Sequence, residues 1–166
     1  PLEVFDAANR IGASPVYDIV VATPGGGAVR TSSGVEVGGQ ASLEDLSADA
    51  ETGIHTLVVI GGNGTRSLIR DEPFLDQIRS LAANAERLTS VCTGALVLAA
   101  AGLLEGRRAT THWASCELLG SFDGVTVEPD RIYVHDGDRW TSAGVTAGID
   151  LALALVDADH GAELAH

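Results

Sequence analysis

The sequence predicts an α/β fold, a three-layer sandwich in which a mostly parallel sheet carries helices on both faces. Three observations predict it. Short, wholly apolar runs alternate with segments of helical periodicity, several of these runs end in glycine-rich turns, and the 166 residues are 45% apolar. Strands that are buried on both faces are apolar throughout, as is typical of a parallel sheet. A chain of this length buries one sizeable core, so residues 1–166 are treated as one domain.

The first half of the chain alternates between helical and extended patterns. Residues 1–10 place Leu2, Phe5 and Ala8 on one helical face, and they begin with a proline, which suits the first turn of a helix. The two most apolar runs are predicted as buried strands, at residues 17–23 and 56–60. Two minor elements are expected beside them, an extended excursion at residues 28–37 and a capped short helix at residues 42–46.

The second half continues the alternation. Helical spacing over residues 73–88, with Phe74, Ile78 and Leu81 facing inward, predicts a long helix. A short apolar strand from Leu88 then turns at Cys92 into a helix of small residues. The remaining predicted elements are an extended piece and helix at residues 109–119, strands at 125–127, 131–134 and 139–142, a helix at 144–156 and an amphipathic piece at 160–166.

The turn at Cys92 is the strongest chemical signal in the chain. A strand-to-helix turn holds the side chain at its apex up at the carboxyl edge of a sheet, above the positive end of the new helix. That end favours a thiolate and lowers the pKa of a cysteine placed there. A small buried cysteine that fills a tight turn is the alternative interpretation, and the local pattern leaves both open.

A glycine-rich loop at residues 61–64 is predicted to lie at the same edge of the sheet. It follows the strand at residues 56–60, and parallel strands end together at the edge where ligands bind in such sheets. The backbone amides of Gly62, Asn63 and Gly64, together with that of Thr93, are candidate donors to an oxyanion or a ligand beside Cys92. A tight strand-to-helix turn explains the glycines equally well.

His112 is the candidate partner of Cys92. It lies at the end of an extended piece, where an imidazole could relay the proton of a working thiol. A capping or interior histidine is the other interpretation and stays open. Cys116 is expected to pack structurally, and His55 and His135 to lie at the surface. No spacing of cysteine and histidine resembles a metal site, and no cofactor is expected.

Charge and composition exclude several classes of protein. Ten basic residues against 23 acidic ones give a formal net charge of −13, which repels phosphate backbones. We therefore expect that this chain does not bind DNA or RNA directly. Two distant cysteines give no disulfide framework and fit a reducing cytoplasm, and no apolar run is long enough to cross a membrane.

Four segments together resemble the PfpI/ThiJ branch of the class I glutamine amidotransferase-like superfamily. They are residues 61–64 (GGNG), 90–98 (SVCTGALVL), 101–113 (AGLLEGRRATTHW) and 141–153 (TSAGVTAGIDLAL). The resemblance implies a flavodoxin-like sheet, a nucleophile elbow at Cys92, an oxyanion loop at residues 61–64 and a homodimer.

Two branches of that superfamily are the most similar. One is the amino-terminal domain of AraC-type transcription regulators, favoured by residues 128–134 (EPDRIYV) and 159–165 (DHGAELA). It implies a domain for ligand sensing and dimerisation, with DNA bound only by a separate segment. The other branch is the isonitrile hydratases, which implies a cysteine-dependent hydratase or hydrolase using Cys92. A redox sensor acting through Cys92 is a further alternative.

The chain also departs from the family pattern. Such domains normally begin with a strand and a loop that supplies an acidic residue to the cysteine, and this sequence begins after that point, at Pro1. It lacks the His-x-Glu pair that completes the triad of glutamine amidotransferases, which disfavours glutaminase activity. It ends at His166, where a regulator would continue towards its DNA-binding segment.

Overall fold

The structure is a computed structural model that describes residues 1–31, 33–48 and 53–165. Its α-helices are α1 (Leu2–Ile11), α2 (Leu43–Ala48), α3 (Thr65–Leu68), α4 (Glu72–Ala83), α5 (Gly94–Ala100), α6 (Cys116–Leu119), α7 (Ala147–His160) and α8 (Ala162–Ala165). Its strands are β1 (Ala22–Thr23), β2 (Val29–Arg30), β3 (Glu36–Val37), β4 (Ala41–Ser42), β5 (Ile54–Ile60), β6 (Ala85–Val91), β7 (Arg108–Ala109), β8 (Thr126–Val127), β9 (Tyr133–Asp136) and β10 (Arg139–Ser142).

The main sheet has four strands in the order β5-β6-β10-β9. Strands β5, β6 and β10 run parallel, whereas β9 pairs antiparallel with β10 across a turn at Gly137 and Asp138. The three parallel strands therefore end at one edge, where Ile60, Val91 and Ser142 lie in register. The predicted mostly parallel sheet is confirmed.

Helices cover both faces of this sheet. On one face, buried residues of α4, α5 and α6 form a core that includes Leu75, Leu98 and Leu119. On the other face, α1 and α7 contribute Phe5 and Leu155 to a second core. Apolar residues at helical spacing in α4, and a wholly apolar α5 that includes the small residues Gly94, Ala95 and Ala99, allow this close packing. The three-layer α/β sandwich predicted from the sequence is confirmed.

The helix predicted at residues 73–88 is shorter than expected. It ends at Ala83, and the chain from Ala85 to Val91 is the central strand of the sheet. This strand pairs with β5 on one side and with β10 on the other. Two ladders of hydrogen bonds outweigh the helical spacing of the last residues, because strand pairing depends on distant segments that a local pattern does not contain.

The strand predicted at residues 17–23 is largely wrong. Only Ala22–Thr23 forms a strand, paired with Ala41–Ser42. Farther back, the amide and carbonyl of Tyr17 bond to the side chain of Asn9 at 2.7 and 2.8 Å. Side chains thus satisfy backbone groups that a neighbouring strand would otherwise engage.

Other predicted elements are confirmed with shifted ends. The first helix, the short capped helix and the late strand at Arg139–Ser142 are all present. The extended excursion predicted at residues 28–37 contains β2 and β3, which pair antiparallel with each other. The long late helix begins at Ala147 rather than at Gly144. The final amphipathic piece forms α8, and His166 lies outside the described residues. Among the described residues, no helix is both long and apolar enough to span a membrane.

Thr89 on β6 allows the cost of a buried hydroxyl without a hydrogen-bond partner to be measured. Its side chain is fully buried, and its hydroxyl finds no hydrogen-bond partner within the described part of the chain. Thr89→Val is therefore expected to leave the free energy of unfolding unchanged or to raise it by about 1–3 kcal/mol, since an unpaired buried hydroxyl is costly.

Thr141 provides the matched comparison for urea unfolding. It is as fully buried as Thr89, but its hydroxyl accepts a hydrogen bond from the amide of Thr110 at 2.8 Å. Thr141→Val should lower the free energy of unfolding by about 1–3 kcal/mol, because it leaves that amide unpaired. Equal destabilisation by the two substitutions would contradict this account of Thr89.

Candidate functional site

Cys92 lies at a strained turn between β6 and α5. Its φ of 59° is in the left-handed region, which residues other than glycine rarely adopt. Its amide donates to the carbonyls of Ser142 and Ala143 at 3.1 and 3.2 Å. Its side chain is partly buried and packs against the core beneath α1 and α7. The predicted strand-to-helix turn is therefore present, and a nucleophilic role for its thiol stays a prediction.

The backbone carbonyl of Cys92 is also hydrogen-bonded. It accepts a hydrogen bond from the hydroxyl of Thr111 at 2.8 Å, and Thr111 is fully buried. Both backbone polar groups of Cys92 are thus satisfied by segments distant in sequence. Conformational strain of this kind, which costs of order 1–3 kcal/mol, persists only where the surroundings fix the backbone.

The glycine loop lies directly beside this turn, as predicted. The amide of Gly61 donates to the carbonyl of Val91 at 3.0 Å, and that of Gly62 donates to the hydroxyl of Thr93 at 2.9 Å. The same hydroxyl lies 3.0 Å from that of Thr65. The side chain of Thr93 therefore joins the loop to the turn rather than binding the sulfur of Cys92.

These bonds divide the predicted amide donors into two groups. The amide of Gly62 already has an acceptor, whereas the amides of Asn63, Gly64 and Thr93 have no hydrogen-bond partner among the described residues. Asn63 and Gly64 are exposed. The donors available to a ligand are therefore those of Asn63, Gly64 and Thr93.

Two glycines make this contact possible. A Cβ on Gly94 would overlap the carbonyl oxygen of Val59, and a Cβ on Gly61 would lie 2.5 Å from the amide nitrogen of Thr93. Any larger residue at either position would force the loop and the turn apart. The glycines therefore determine how closely the two strand ends approach each other.

His112 lies at the same edge but makes no hydrogen bond to the sulfur of Cys92 among the described residues. Its Nδ1 accepts a hydrogen bond from the amide of Ala114 at 3.3 Å, so the imidazole caps the short helical turn Trp113–Ser115. The opposite side of the ring rests on Gly144, where a Cβ would lie 2.7 Å from its Cδ2. The capping role is observed, and proton transfer with Cys92 stays a prediction.

Cys116 supports the His112 segment. Its thiol donates to the carbonyl of His112 at 3.8 Å. Burial, and to a smaller extent the charge of Asp130, raise the pKa of this thiol. A raised pKa makes a thiol less reactive near neutral pH, in keeping with the packing role predicted for Cys116.

Thr111 and Gly144 join these pieces, and neither is predicted from the sequence as a site residue. The available signal is their position, Thr111 one residue before His112 and Gly144 just after the late strand, inside the segments 101–113 and 141–153. Two exposed apolar side chains lie beside these positions in the sequence, Trp113 next to His112 with 78% of its surface exposed and Val145 next to Gly144 with 80% exposed. Val145 is a second non-glycine residue with positive φ, at 38°. Among the described residues, no group of three or more ligating side chains is arranged for a metal.

The α/β sandwich and the cysteine turn at the carboxyl edge of its sheet are found together in a known protein family. A model of the DJ-1/PfpI family matches residues 2–158, and the chain belongs to that family. A solved structure of a ThiJ/PfpI family protein from Pseudomonas syringae superposes with a TM-score of 0.84 and 29% identity, covering 99% of this chain and 65% of that one. The family resemblance stated from the sequence is confirmed.

Within the family, relatives of two kinds are found. An isonitrile hydratase of Pseudomonas putida is 47% identical over 127 residues, which cover 76% of this chain and 53% of that protein. The HTH-type transcriptional regulator CdhR of Pseudomonas aeruginosa is 39% identical over 166 residues, covering 99% of this chain and 47% of the regulator. The chain thus spans about half the length of each of these curated relatives.

Proposed function

We propose that this chain is the ligand-sensing and dimerisation domain of an AraC-type transcriptional regulator. The observation that carries the proposal is the extent of the similarity. Alignment with the regulator CdhR covers 99% of this chain, whereas alignment with the isonitrile hydratase covers 76%. The net charge of −13 also supports it, since a surface so acidic leaves contact with DNA to a separate basic segment.

The ligand would bind at the carboxyl edge of the sheet, beside Cys92. The amides of Asn63, Gly64 and Thr93, for which the described residues offer no acceptor, would donate hydrogen bonds to an acceptor on the ligand. The exposed indole of Trp113, next to the imidazole of His112 at 5.4 Å between ring centroids, would supply an apolar wall. Such a site would combine an apolar wall with a few directed polar groups, as small-molecule sites usually do.

The complete open reading frame tests the regulator proposal. It should encode a basic segment with helix-turn-helix spacing after His166, and the full protein should sediment as a dimer. A frame that ends close to His166 without such a segment would overturn the proposal. Mobility-shift titrations of the full protein on its own upstream DNA, run beside the 166-residue chain, should show binding only by the former.

A cysteine-dependent hydratase is the second candidate, and the 47% identity with the isonitrile hydratase favours it. Cys92 would be the nucleophile, His112 would assist proton transfer, and the amides of residues 62–64 with Thr93 would stabilise the developing charge. The bond from Gly62 to the hydroxyl of Thr93 leaves Asn63 and Gly64 as the available donors of that loop.

Turnover of an isocyanide by the purified protein separates the two candidates. If the chain is a hydratase, the isocyanide should be consumed, Cys92→Ala should abolish its consumption, and Cys116→Ala should leave most of it. Consumption equal to that of buffer, in a protein whose circular dichroism shows it folded, would rule against the hydratase.

A further inference from the structure

Three chain segments meet around Cys92 in a closed circuit of contacts. The amide of Cys92 donates to the carbonyl of Ala143 at 3.2 Å, Gly144 follows Ala143 and supports the ring of His112, and Thr111 beside His112 donates back to the carbonyl of Cys92 at 2.8 Å. The position of His112 relative to Cys92 therefore depends on two links, the backbone link through Ala143 and the side-chain link through Thr111.

Of the two links, the one through Thr111 depends on a single side-chain group and can therefore be removed by one substitution. It uses one hydroxyl that is wholly shielded from water, and within the described residues Thr111 is the partner found for the carbonyl of Cys92. That carbonyl belongs to a residue with a φ of 59°, a conformation that relaxes when it is not held. Loss of the hydroxyl would remove this hydrogen bond from the carbonyl of the residue that carries the thiol.

We infer that Thr111 is a positioning residue that sets the reactivity of the Cys92 thiol by fixing it relative to His112. The inference rests on the proposed function only in treating Cys92 and His112 as members of one site. It requires neither that a substrate be turned over nor that a ligand be sensed. Thr111 itself touches the backbone of Cys92 and not the sulfur, so its effect is indirect.

Alkylation of the intact 166-residue chain by iodoacetamide tests the inference. The rate at Cys92 is followed by mass spectrometry of its peptide, resolved from that of Cys116, over a series of pH values. The rate is compared in four proteins: wild type, Thr111→Val, His112→Gln and the double variant. His112→Gln should change the rate in the wild-type background by roughly threefold to tenfold, about the size of one polar interaction, because it removes the imidazole from the site.

In the Thr111→Val background, His112→Gln should have little further effect, because the two groups are no longer held together. Thr111→Ser keeps the hydroxyl and should restore the wild-type rate and pH profile. Thr110→Val is the matched control, since Thr110 is equally buried but its hydroxyl reaches only the carbonyl of Arg131 at 3.5 Å. An effect of His112→Gln that is absent in the wild type, or equal in both backgrounds, would overturn the inference.

Gly144→Ala tests the same circuit without touching Thr111. Its Cβ would lie 2.7 Å from Cδ2 of His112 and should displace the imidazole, and the three nearest atoms it meets all belong to His112 rather than to Thr111. The rate at Cys92 should change as it does in His112→Gln. This variant decides the matter if Thr111→Val does not fold, and a wild-type rate in Gly144→Ala would then reject the inference. Neither assay contains DNA, isocyanide or ligand, so failure of the proposed function would leave its result unchanged.

Discussion

Asp159→Ala is expected to lower the free energy of unfolding by about 3 kcal/mol or more, because it leaves the guanidinium of Arg87 buried without its counter-charge. The two side chains are only 13% and 11% exposed, and they meet through two parallel hydrogen bonds of 2.9 Å. The hydroxyl of Tyr17 donates to the same carboxylate at 2.9 Å, and Trp140 lies beneath the guanidinium at 5.9 Å. Urea unfolding measures the loss.

Asp157→Ala is the matched control, since Asp157 lies on the same helix but is exposed. Its effect should stay within about 0.5 kcal/mol. Arg87→Leu combined with Asp159→Leu should recover much of the stability lost in Asp159→Ala, because no charge is then left buried alone. Equal losses in Asp157→Ala and Asp159→Ala would show that the ion pair contributes little.

The same cluster predicts a dependence of stability on pH. Burial raises the pKa of Asp159, but hydrogen bonds from Arg87 and Tyr17 outweigh it and hold that pKa below its usual value. The stability that Asp159 contributes is therefore present above the unfolded pKa of about 3.9, and it is lost as the pH falls towards the folded pKa. Asp159→Asn should flatten this acid limb of the unfolding profile.

At alkaline pH the dependence of stability on pH has the opposite sign, so stability is lost as the pH rises. Burial and the bond to Asp159 raise the pKa of Tyr17 above its usual value. The contribution of Tyr17 is therefore complete below the unfolded pKa of about 10, and it is lost as the pH rises towards the folded pKa. Tyr17→Phe should flatten the alkaline limb and leave the acid limb in place. An unchanged alkaline limb would exclude Tyr17 as its source.

The contrast between Cys92 and Asp159 shows what the sequence could predict. The turn at Cys92 was foreseen because its causes are local, an apolar strand followed at once by threonine, glycine and alanine. The ion pair was not, because Asp159 lies 72 positions from Arg87 and 142 from Tyr17. Charged residues at such separations carry no periodic signal, and their pairing follows from the sheet order.

The limits of prediction at the site have the same origin. The glycine loop and the turn were expected at one edge because parallel strands end together. The hydroxyl of Thr93 accepts a hydrogen bond from Gly62, in a loop 31 positions away, and no local pattern contains such a contact. For His112 the sequence leaves both capping and proton transfer open, because its cap on Ala114 depends on the short helical turn that follows.

Gly94→Ala is expected to disrupt the site and the fold together. The new Cβ would overlap the carbonyl oxygen of Val59 and lie 2.9 Å from its carbonyl carbon. Those atoms belong to the backbone of β5, so no side chain can rotate away, and either the strand or α5 must shift. Overpacking of this kind costs typically about 1–3 kcal/mol and occasionally more, and a backbone clash should lie at the upper end.

Gly62→Ala is the control for Gly94→Ala, because a Cβ there meets nothing within 4 Å although Gly62 lies in the adjoining loop. It should change the free energy of urea unfolding by no more than about 0.5 kcal/mol. If Gly94→Ala still folds at low temperature, its Cys92 should alkylate at an altered rate, because α5 begins two residues after the thiol and moves with the clash. Equal stabilities of the two variants would mean that β5 and α5 can separate freely. The contact between the glycine loop and the turn would then not be what holds Cys92 at the sheet edge.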